Sequence, residues 1–169
     1  MYYHEFMRPT RALRLLLTTT VLLVAAVRPA LADATLFIGT NTTPSNRTVK
    51  GFAIGLSLLI VGFEFEYAYT SDDAANNAPS LKTGMGNVLL QTPTAIYRVQ
   101  PYATAGAGVY REELGTHEET NGGINLGGGA KITLVGPLRL RVDYRVFTLA
   151  GGALNSPAHR FYAGLNLAF

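Results

Sequence analysis

The sequence has no cysteine and no tryptophan among its 169 residues, and it has only three histidines. The absence of cysteine excludes disulfide bonds, thiolate metal sites and a cysteine nucleophile. Glycine is abundant instead, with 18 residues, and the chain carries nine tyrosines and eight phenylalanines. This composition of aromatic and small residues is typical of a β-rich protein.

The chain also has no excess of positive or negative charge once residues 1–32 are set aside. The net charge is +3, but four arginines and one glutamate lie in residues 1–32. Residues 33–169 therefore hold ten basic and ten acidic residues and are neutral. A neutral chain lacks the basic surface that binds a phosphate backbone, so the overall pI of about 9.3 does not indicate a nucleic-acid partner.

The N-terminal segment has the pattern of a secretory signal peptide. A basic stretch precedes an uncharged apolar run at residues 15–27. Ala30 and Ala32 then supply small residues at the positions that signal peptidase reads. The sequence predicts a signal peptide over residues 1–32, cleavage after Ala32, and a single mature domain over residues 33–169.

The alternative for the same segment is a transmembrane helix. The apolar run covers only 13 residues, and Arg28 and Pro29 end it. A helix needs roughly 20 consecutive apolar residues to cross a bilayer. The length of the run therefore favours the signal peptide.

After Asp33 the hydrophobic pattern alternates with a period of two residues, and no segment has a sustained helical period. Strand seven is the clearest case, because its even positions are apolar and its odd positions are polar. Eight segments of this kind are predicted as strands. They cover residues 34–40, 49–58, 60–70, 85–97, 101–112, 122–133, 137–149 and 158–169.

The links between these strands alternate in length. Short links are predicted near residue 59 and at 98–100 and 135–136, and longer polar links at 41–48, 71–83, 114–121 and 150–157. This alternation predicts an up-and-down meander with its short turns at one end and its long loops at the other. Outer-membrane barrels have this asymmetry, and strands of about 9–11 residues are long enough to cross a bilayer.

The charges on the polar rows indicate which face of the sheet meets lipid. A closed eight-stranded barrel has an interior that side chains fill, and charges enclosed there must be paired. The polar rows of strands three and seven carry three arginines against three carboxylates, so they can balance one another inside. The predicted lumen charge network consists of Glu64, Glu66, Arg139, Arg141, Asp143 and Arg145.

Two alternatives exist for these charged residues. They would lie on the solvated outer face of a soluble barrel, or they would form a selectivity ring in an open pore. The selectivity ring is a weaker interpretation than the structural lumen network, because eight strands leave no wide channel. Aromatic residues near strand ends fit interfacial girdles, although some could point inward. They are Tyr67, Tyr69, Tyr97, Tyr110, Tyr144, Phe147 and Phe161.

Four segments carry a further signal in their order and spacing. They are GFEFEY at residues 62–67, PYATAGAGVY at 101–110, LRVDYR at 140–145 and FYAGLNLAF at 161–169. Over residues 34–169 the chain resembles the small outer-membrane β-barrel family that includes the OmpA transmembrane domain and opacity-type proteins. The resemblance implies insertion by the outer-membrane assembly machinery and a role in envelope integrity, adhesion or minor permeation. The last segment looks like the assembly signal of such barrels, carried by Phe161, Leu165, Leu167 and Phe169.

Few residues are candidates for catalysis or metal binding. A lipid deacylase of this shape would need a serine, a histidine and a carboxylate near the outer rim. His117 lies in a predicted loop without an evident nucleophile, and the His-x-Ser pattern of lipid A deacylases is absent. Acidic pairs at residues 72–73, 112–113 and 118–119 could hold divalent cations weakly, but solvated hairpin charges are the simpler interpretation. The sequence therefore predicts no enzyme, no cofactor and no metal site.

The leading hypothesis is an all-β protein: an eight-stranded antiparallel up-and-down transmembrane β-barrel, preceded by a cleaved signal peptide. It is expected to be a non-enzymatic, integral protein of a Gram-negative outer membrane. The expected partners are outer-membrane lipid, lipopolysaccharide and the assembly machinery, with any surface ligand unidentified. The alternatives are a lipid-modifying outer-membrane enzyme and a secreted lipocalin-like barrel. The absence of tryptophan removes the Gly-x-Trp pattern of lipocalins.

Overall fold

The computed structural model describes residues 31–169. The predicted signal peptide, including Ala30, lies outside the described residues except for its last two positions. Eight strands and one short 3-10 helix make up the fold. They are β1 (Leu31–Asn41), β2 (Arg47–Leu58), β3 (Val61–Thr70), the helix (Ala74–Asn76), β4 (Ser80–Gln91), β5 (Val99–Leu114), β6 (His117–Val135), β7 (Leu138–Leu149) and β8 (Ala158–Ala168). None of the helical structure in this part of the chain is long and apolar enough to cross a membrane.

The strands form a closed barrel in sequence order, and every neighbouring pair is antiparallel. β1 closes the barrel by pairing with β8, from Asp33 opposite Ala168 to Asn41 opposite Arg160. Closure leaves no open sheet edge, so the ladder satisfies the backbone groups that would otherwise face lipid. The predicted up-and-down barrel of eight strands is confirmed.

The links between strands define the two ends of the barrel. We call the end with links 42–46, 71–79, 115–116 and 150–157 the loop end. We call the other end the terminal end. It holds both ends of the barrel sequence and the links 59–60, 92–98 and 136–137.

Two of the predicted links are wrong. The long link expected at residues 114–121 is a two-residue turn, because β5 and β6 continue as a hairpin in which Leu114 pairs with His117. Gly115 takes a positive φ of 61° in that turn, a conformation that costs glycine little. The short link expected at 98–100 spans residues 92–98 instead, since β4 ends at Gln91. Pro93 follows immediately and cannot donate to a strand ladder.

The two faces of the wall differ in polarity, because the charged side chains of β3 and β7 lie inside and apolar rows lie outside. Glu64, Arg141 and Asp143 are buried inside the barrel, whereas Phe63 and Phe65 alternate with them on the outside and are about half exposed. The alternative of a soluble barrel with its charges outside is therefore wrong. The other outward rows are also apolar, including those of strands whose sequence pattern left their facing open. They include Leu36 and Ile38 on β1, Val88 and Leu90 on β4, and Ala103, Ala105, Ala107 and Val109 on β5.

Aromatic residues lie on both faces of the wall. Tyr67, Tyr97, Tyr144 and Phe161 are exposed on the outer surface, as expected for an interfacial girdle. Two other candidates for the girdle, Phe147 and Tyr110, point inward. Phe147 lies on the odd-numbered row of β7 and Tyr110 on the even-numbered row of β5, and both rows face the lumen. Both residues are buried in an apolar cluster toward the loop end.

Candidate functional site in the barrel lumen

The lumen is lined by side chains from opposite walls, because β3 and β7 are four strands apart in an eight-stranded ring. β3 contributes Glu64 and Glu66, and β7 contributes Arg141, Asp143 and Arg145. All five are at most 5% exposed. The alternation of each strand aims every second residue at the axis, so these long side chains meet in the middle.

Glu64 is the carboxylate that joins two arginines of the opposite wall. Its Oε1 accepts hydrogen bonds from Nη2 of Arg141 at 3.2 Å and from Nη2 of Arg145 at 2.9 Å. Its Oε2 accepts a further short bond from Nη1 of Arg141. Both carboxylate oxygens are therefore bonded to charged donors, which is the arrangement that makes a buried ion pair tolerable.

Glu66 lies one inward position further toward the loop end and has different partners. It pairs with Nη1 of Arg145 at 3.2 Å and with Nη1 of Arg160 at 3.1 Å. The hydroxyl of Tyr162 donates to its second oxygen at 3.2 Å. Glu66 has no bond to Arg141, so the two glutamates of β3 share Arg145 and differ in their other partners.

Asp143 is the third carboxylate of the network, and it lies on β7, the same strand as the two arginines that it binds. Its oxygens accept from Nε of Arg145 at 2.9 Å and from Nη2 of Arg141 at 3.1 Å. The hydroxyl of Tyr102 also donates to Asp143 and accepts from Nε of Arg141 at 2.7 Å. The Arg141 guanidinium lies 5.0 Å from the Tyr102 ring centroid, within cation–π range.

A second ion pair lies nearer the terminal end. Lys131 of β6 bonds to Asp33 of β1, and both side chains are almost fully buried. Together, this ion pair and the network around Glu64 and Glu66 contain four carboxylates, which are Asp33, Glu64, Glu66 and Asp143. They also contain four cations, which are Lys131, Arg141, Arg145 and Arg160. The buried set is neutral, so the barrel encloses no net charge there.

Arg139, which the sequence places in the network, lies apart from these pairs. It is only half buried, and its one side-chain bond within residues 31–169 is a long one of 3.4 Å to Oε1 of Gln100. No carboxylate lies within ion-pair distance of it among residues 31–169. Its position one inward step beyond Arg141, toward the terminal end, puts it out of reach of the glutamates on β3.

Five residues of the lumen were missed by the sequence analysis. Arg160 and Tyr162 lie on the polar row of strand eight, where alternation alone could have identified them. Lys131 and Asp33 are isolated charges on strands without a continuous polar row, so only the closed barrel brings them together. Tyr102 lies on a strand whose facing the pattern left open.

The loop end is closed by its own set of polar contacts. Arg47, at the start of β2, donates to the backbone oxygens of Thr43 at 2.7 Å and Ser71 at 3.3 Å, and also to that of Pro79. It therefore joins the first and second loops. Hydrogen bonds from Asn76 and then Ser45 lower the pKa of Asp73, which keeps that loop carboxylate charged.

The residues of the predicted assembly signal share one face of β8. Phe161, Leu165, Leu167 and Phe169 all point outward and are about half exposed or more. Phe169 also exchanges two backbone hydrogen bonds with Ala32 of β1, each 2.9 Å long. The role of this face in assembly remains a prediction.

The histidine of β8 lies outside the lumen. His159 is on the outward row of β8, and its Nδ1 lies 2.7 Å from the hydroxyl of Tyr144. In the part of the chain that the structure covers, no hydrogen bond joins a serine to a histidine. Residues 31–169 also contain no group of three or more histidine, aspartate or glutamate side chains placed to hold a metal ion.

Comparisons with known proteins agree with this architecture. The family model for the outer membrane protein beta-barrel domain matches residues 30–169. Neisserial surface protein A shares 16% identity, with 83% of this chain and 96% of that chain covered and a TM-score of 0.63. The N-terminal β-barrel domain of Pseudomonas aeruginosa OprF shares 14%, with 82% and 97% covered and a TM-score of 0.61.

A third structure, Yersinia pestis Ail in a phospholipid nanodisc, shares 12% identity, with 82% and 99% covered and a TM-score of 0.50. At such identities these structures are evidence for the fold alone. No curated protein sequence matches the chain. The family match spans the whole barrel, and the outer surface of that barrel carries a broad apolar band. The chain therefore belongs to the outer membrane protein β-barrel domain family and is an integral protein of the bacterial outer membrane.

Proposed function

We propose that this protein is a non-enzymatic structural barrel that contributes to envelope integrity, presents its loop end at the cell surface and permits at most minor permeation. Outer-membrane barrels place short turns in the periplasm and longer loops outside. The loop end described above is thus the external end. The terminal end, with its two-residue turns at 59–60 and 136–137, is the periplasmic one.

The observation that carries this proposal is the filled lumen. The guanidinium groups of Arg141, Arg145 and Arg160 are fully buried and bonded to carboxylates from the opposite wall. A solute passing along the axis would have to separate these pairs in a low-dielectric interior. Separating a buried pair leaves uncompensated charge and costs several kcal/mol, so the network acts as a plug.

The plug is tested by measuring permeation through the purified protein in liposomes. We expect swelling in isotonic sugar solutions to be close to that of protein-free liposomes and far below that of a general porin at equal protein content. The folded state is verified in the same vesicles by the faster gel migration of unheated samples. Swelling at a porin-like rate by folded protein would contradict the structural role.

The outer surface also supports lipopolysaccharide as a partner. Where the outward rows of β2–β5 change from apolar to polar toward the loop end, the boundary residues are mostly basic. Lys50 is opposite Tyr69, Tyr69 is opposite Lys82, and Lys82 is opposite Arg111, so they form one continuous row. Two carboxylates balance part of this charge. Glu113 bonds to Lys82 and Arg111, and Glu118 bonds to Arg111. Such a row at the membrane surface attracts phosphate groups of lipids.

Replacing Lys50, Lys82 and Arg111 with glutamine should weaken binding of lipopolysaccharide to the reconstituted barrel. A basic residue near an anionic membrane surface contributes about 1 kcal/mol, so each substitution should cost roughly fivefold in affinity. Binding is measured by titrating lipopolysaccharide into barrels in neutral detergent. The matched control is Arg98→Gln, which removes one charge at the periplasmic end. Equal loss from the control and from a single row variant would exclude recognition by this row.

A further inference from the structure

The periplasmic end of the lumen contains a partly enclosed cavity of about 150 Å³, below the charge network. Ala32, which the predicted cleavage removes from the mature chain, is one of its lining residues, so the cavity is more open in a chain that starts at Asp33. Arg139 of β7 lines one side, and Gln91 and Gln100 line the side formed by β4 and β5. The link at residues 92–98 contributes Pro93, Thr94 and Ala95 to its floor. A cavity of about this size accommodates a molecule as large as benzene, which has six non-hydrogen atoms.

Arg139 brings an uncompensated positive charge to this cavity. Its guanidinium has five N–H donors, and one long bond to Gln100 is its only side-chain hydrogen bond within residues 31–169. The nearby carboxylate that also lines the cavity, Asp33, is already bonded to Lys131. A planar carboxylate is the partner that fits a guanidinium best, because two parallel hydrogen bonds form at once.

Gln91 adds an unused acceptor to the same cavity. The residue is 8% exposed, and its Oε1 is buried without a hydrogen-bond partner in the described chain. Buried polar groups are nearly always bonded, so this oxygen is suited to a donor brought by a ligand. The neighbouring Gln100 is held in place by a 2.8 Å bond from its Nε2 to the backbone oxygen of Thr92.

We propose that this cavity binds a small carboxylate with a hydrogen-bond donor close to the carboxylate group. The carboxylate accepts from Arg139, and the donor is directed to Oε1 of Gln91. This chemistry is shared by a free amino acid and by the C-terminal residue of a peptide, and both fit the size of the cavity. The periplasmic position of the cavity makes either source accessible without passage through the plugged lumen.

The test measures binding of four probes to the barrel purified from membranes in detergent micelles. The probes are alanine, alanyl-alanine, alaninamide and inorganic phosphate, titrated by calorimetry and by shifts of the glutamine side-chain amide signals in NMR. We expect saturable binding of alanine or alanyl-alanine and about tenfold or greater weakening for alaninamide, which lacks the carboxylate. Tighter binding of alanine indicates a free amino acid, and tighter binding of the dipeptide indicates a peptide end.

The variants distinguish specific recognition of the carboxylate ligand from attraction by positive charge alone. Arg139→Gln should weaken carboxylate binding about tenfold or more. Arg139→Lys should fall between this variant and the native protein, because it keeps the charge but not the paired donors. Gln91→Met removes the acceptor at similar volume and should weaken binding of the alanine probes. Binding of acetate, added here as a further probe because it has a carboxylate and no donor, should be unchanged. Arg98→Gln, in the adjacent periplasmic link, should bind as the native protein does.

Several results would overturn the proposal. They are absence of saturable binding, equal affinity for alanine and alaninamide, binding of phosphate at least as tight as that of the carboxylates, and unchanged affinity in folded Arg139→Gln. Each variant is first checked for folding by its gel migration without heating. Arg139 is only half buried, so its replacement should leave the barrel intact. The swelling of liposomes is a separate readout, so failure here leaves the structural role unaffected.

Discussion

Replacing Glu64 with glutamine should lower the free energy of unfolding of the barrel by about 3–5 kcal/mol. The substitution keeps the shape of the side chain but removes the carboxylate that Arg141 and Arg145 share. Both guanidinium groups are fully buried, so neither can recover its lost partner by turning to water. The excess positive charge inside the barrel is then paired only through Asp143 and Glu66.

The matched control for this variant is Glu113→Gln on the outer surface. Glu113 also bonds two cations, Lys82 at 3.2 Å and Arg111 at 2.6 Å, but all three side chains are more than a third exposed. Exposed pairs contribute about 0.2–1 kcal/mol, so this variant should change stability little. The chain has no tryptophan, so the folded fraction in urea is followed by the mobility of unheated samples on gels. Equal and small effects of the two variants would contradict a dry, paired lumen.

Double variants report which residues are paired. Combining Glu64→Gln with Arg141→Gln should recover part of the loss, with a coupling energy of about 1–3 kcal/mol for groups in contact. Glu66→Gln combined with Arg141→Gln should show weaker coupling, because Glu66 is bonded to Arg145 and Arg160 instead. Glu66 and Arg141 lie on opposite walls of the barrel, but the structure contains no bond between them. Equal coupling in both cycles would mean that total charge matters and individual contacts do not.

The sequence was sufficient for the architecture because the alternation of apolar and polar residues along a strand is a local property. The polar row of strand seven, from Arg139 to Arg145, could be assigned to one face without knowing any neighbour. Which carboxylate each arginine contacts depends on the shear of the closed barrel, that is, on how far the strands are offset along its axis. The alternation of inward and outward positions carries no information on that offset. For the same reason the isolated charges Lys131 and Asp33 could not be joined, although they are 98 positions apart in sequence and bonded in space.

Turns were less predictable than strands, since polar residues do not always end a strand. The segment from Leu114 to Asn121 is polar enough for a long loop, yet cross-strand pairing with β5 keeps it extended. Its polar side chains need no burial, because the hairpin projects beyond the apolar band. A strand pattern that alternates between apolar and polar residues identifies only the part of the strand that lies within the membrane.

Deleting Phe169 should sharply reduce the amount of folded barrel in the outer membrane while leaving the stability of already folded protein nearly unchanged. Phe169 ends the outward row of β8, and its side chain is 70% exposed, so it contributes little to packing within the barrel. Its backbone bonds are to Ala32, which the predicted cleavage after Ala32 removes from the mature chain. Neither the side chain nor the backbone of Phe169 is then needed to hold the folded mature barrel together.

A side chain that the folded barrel does not need can still be required during assembly. Phe169→Ala separates the two roles, because it keeps the backbone at position 169 and removes only the aromatic ring. If the assembly machinery recognises the ring, this variant should lose membrane level as the deletion does, and Leu36→Ala, an outward residue on the neighbouring strand β1, should not. Membrane levels are measured by gel migration of unheated membranes, and stability by urea unfolding of barrels refolded in detergent. Normal membrane levels of Phe169→Ala would exclude recognition of the ring. Parallel loss of membrane level and of stability in vitro would assign Phe169 a purely structural role at the seam between β1 and β8.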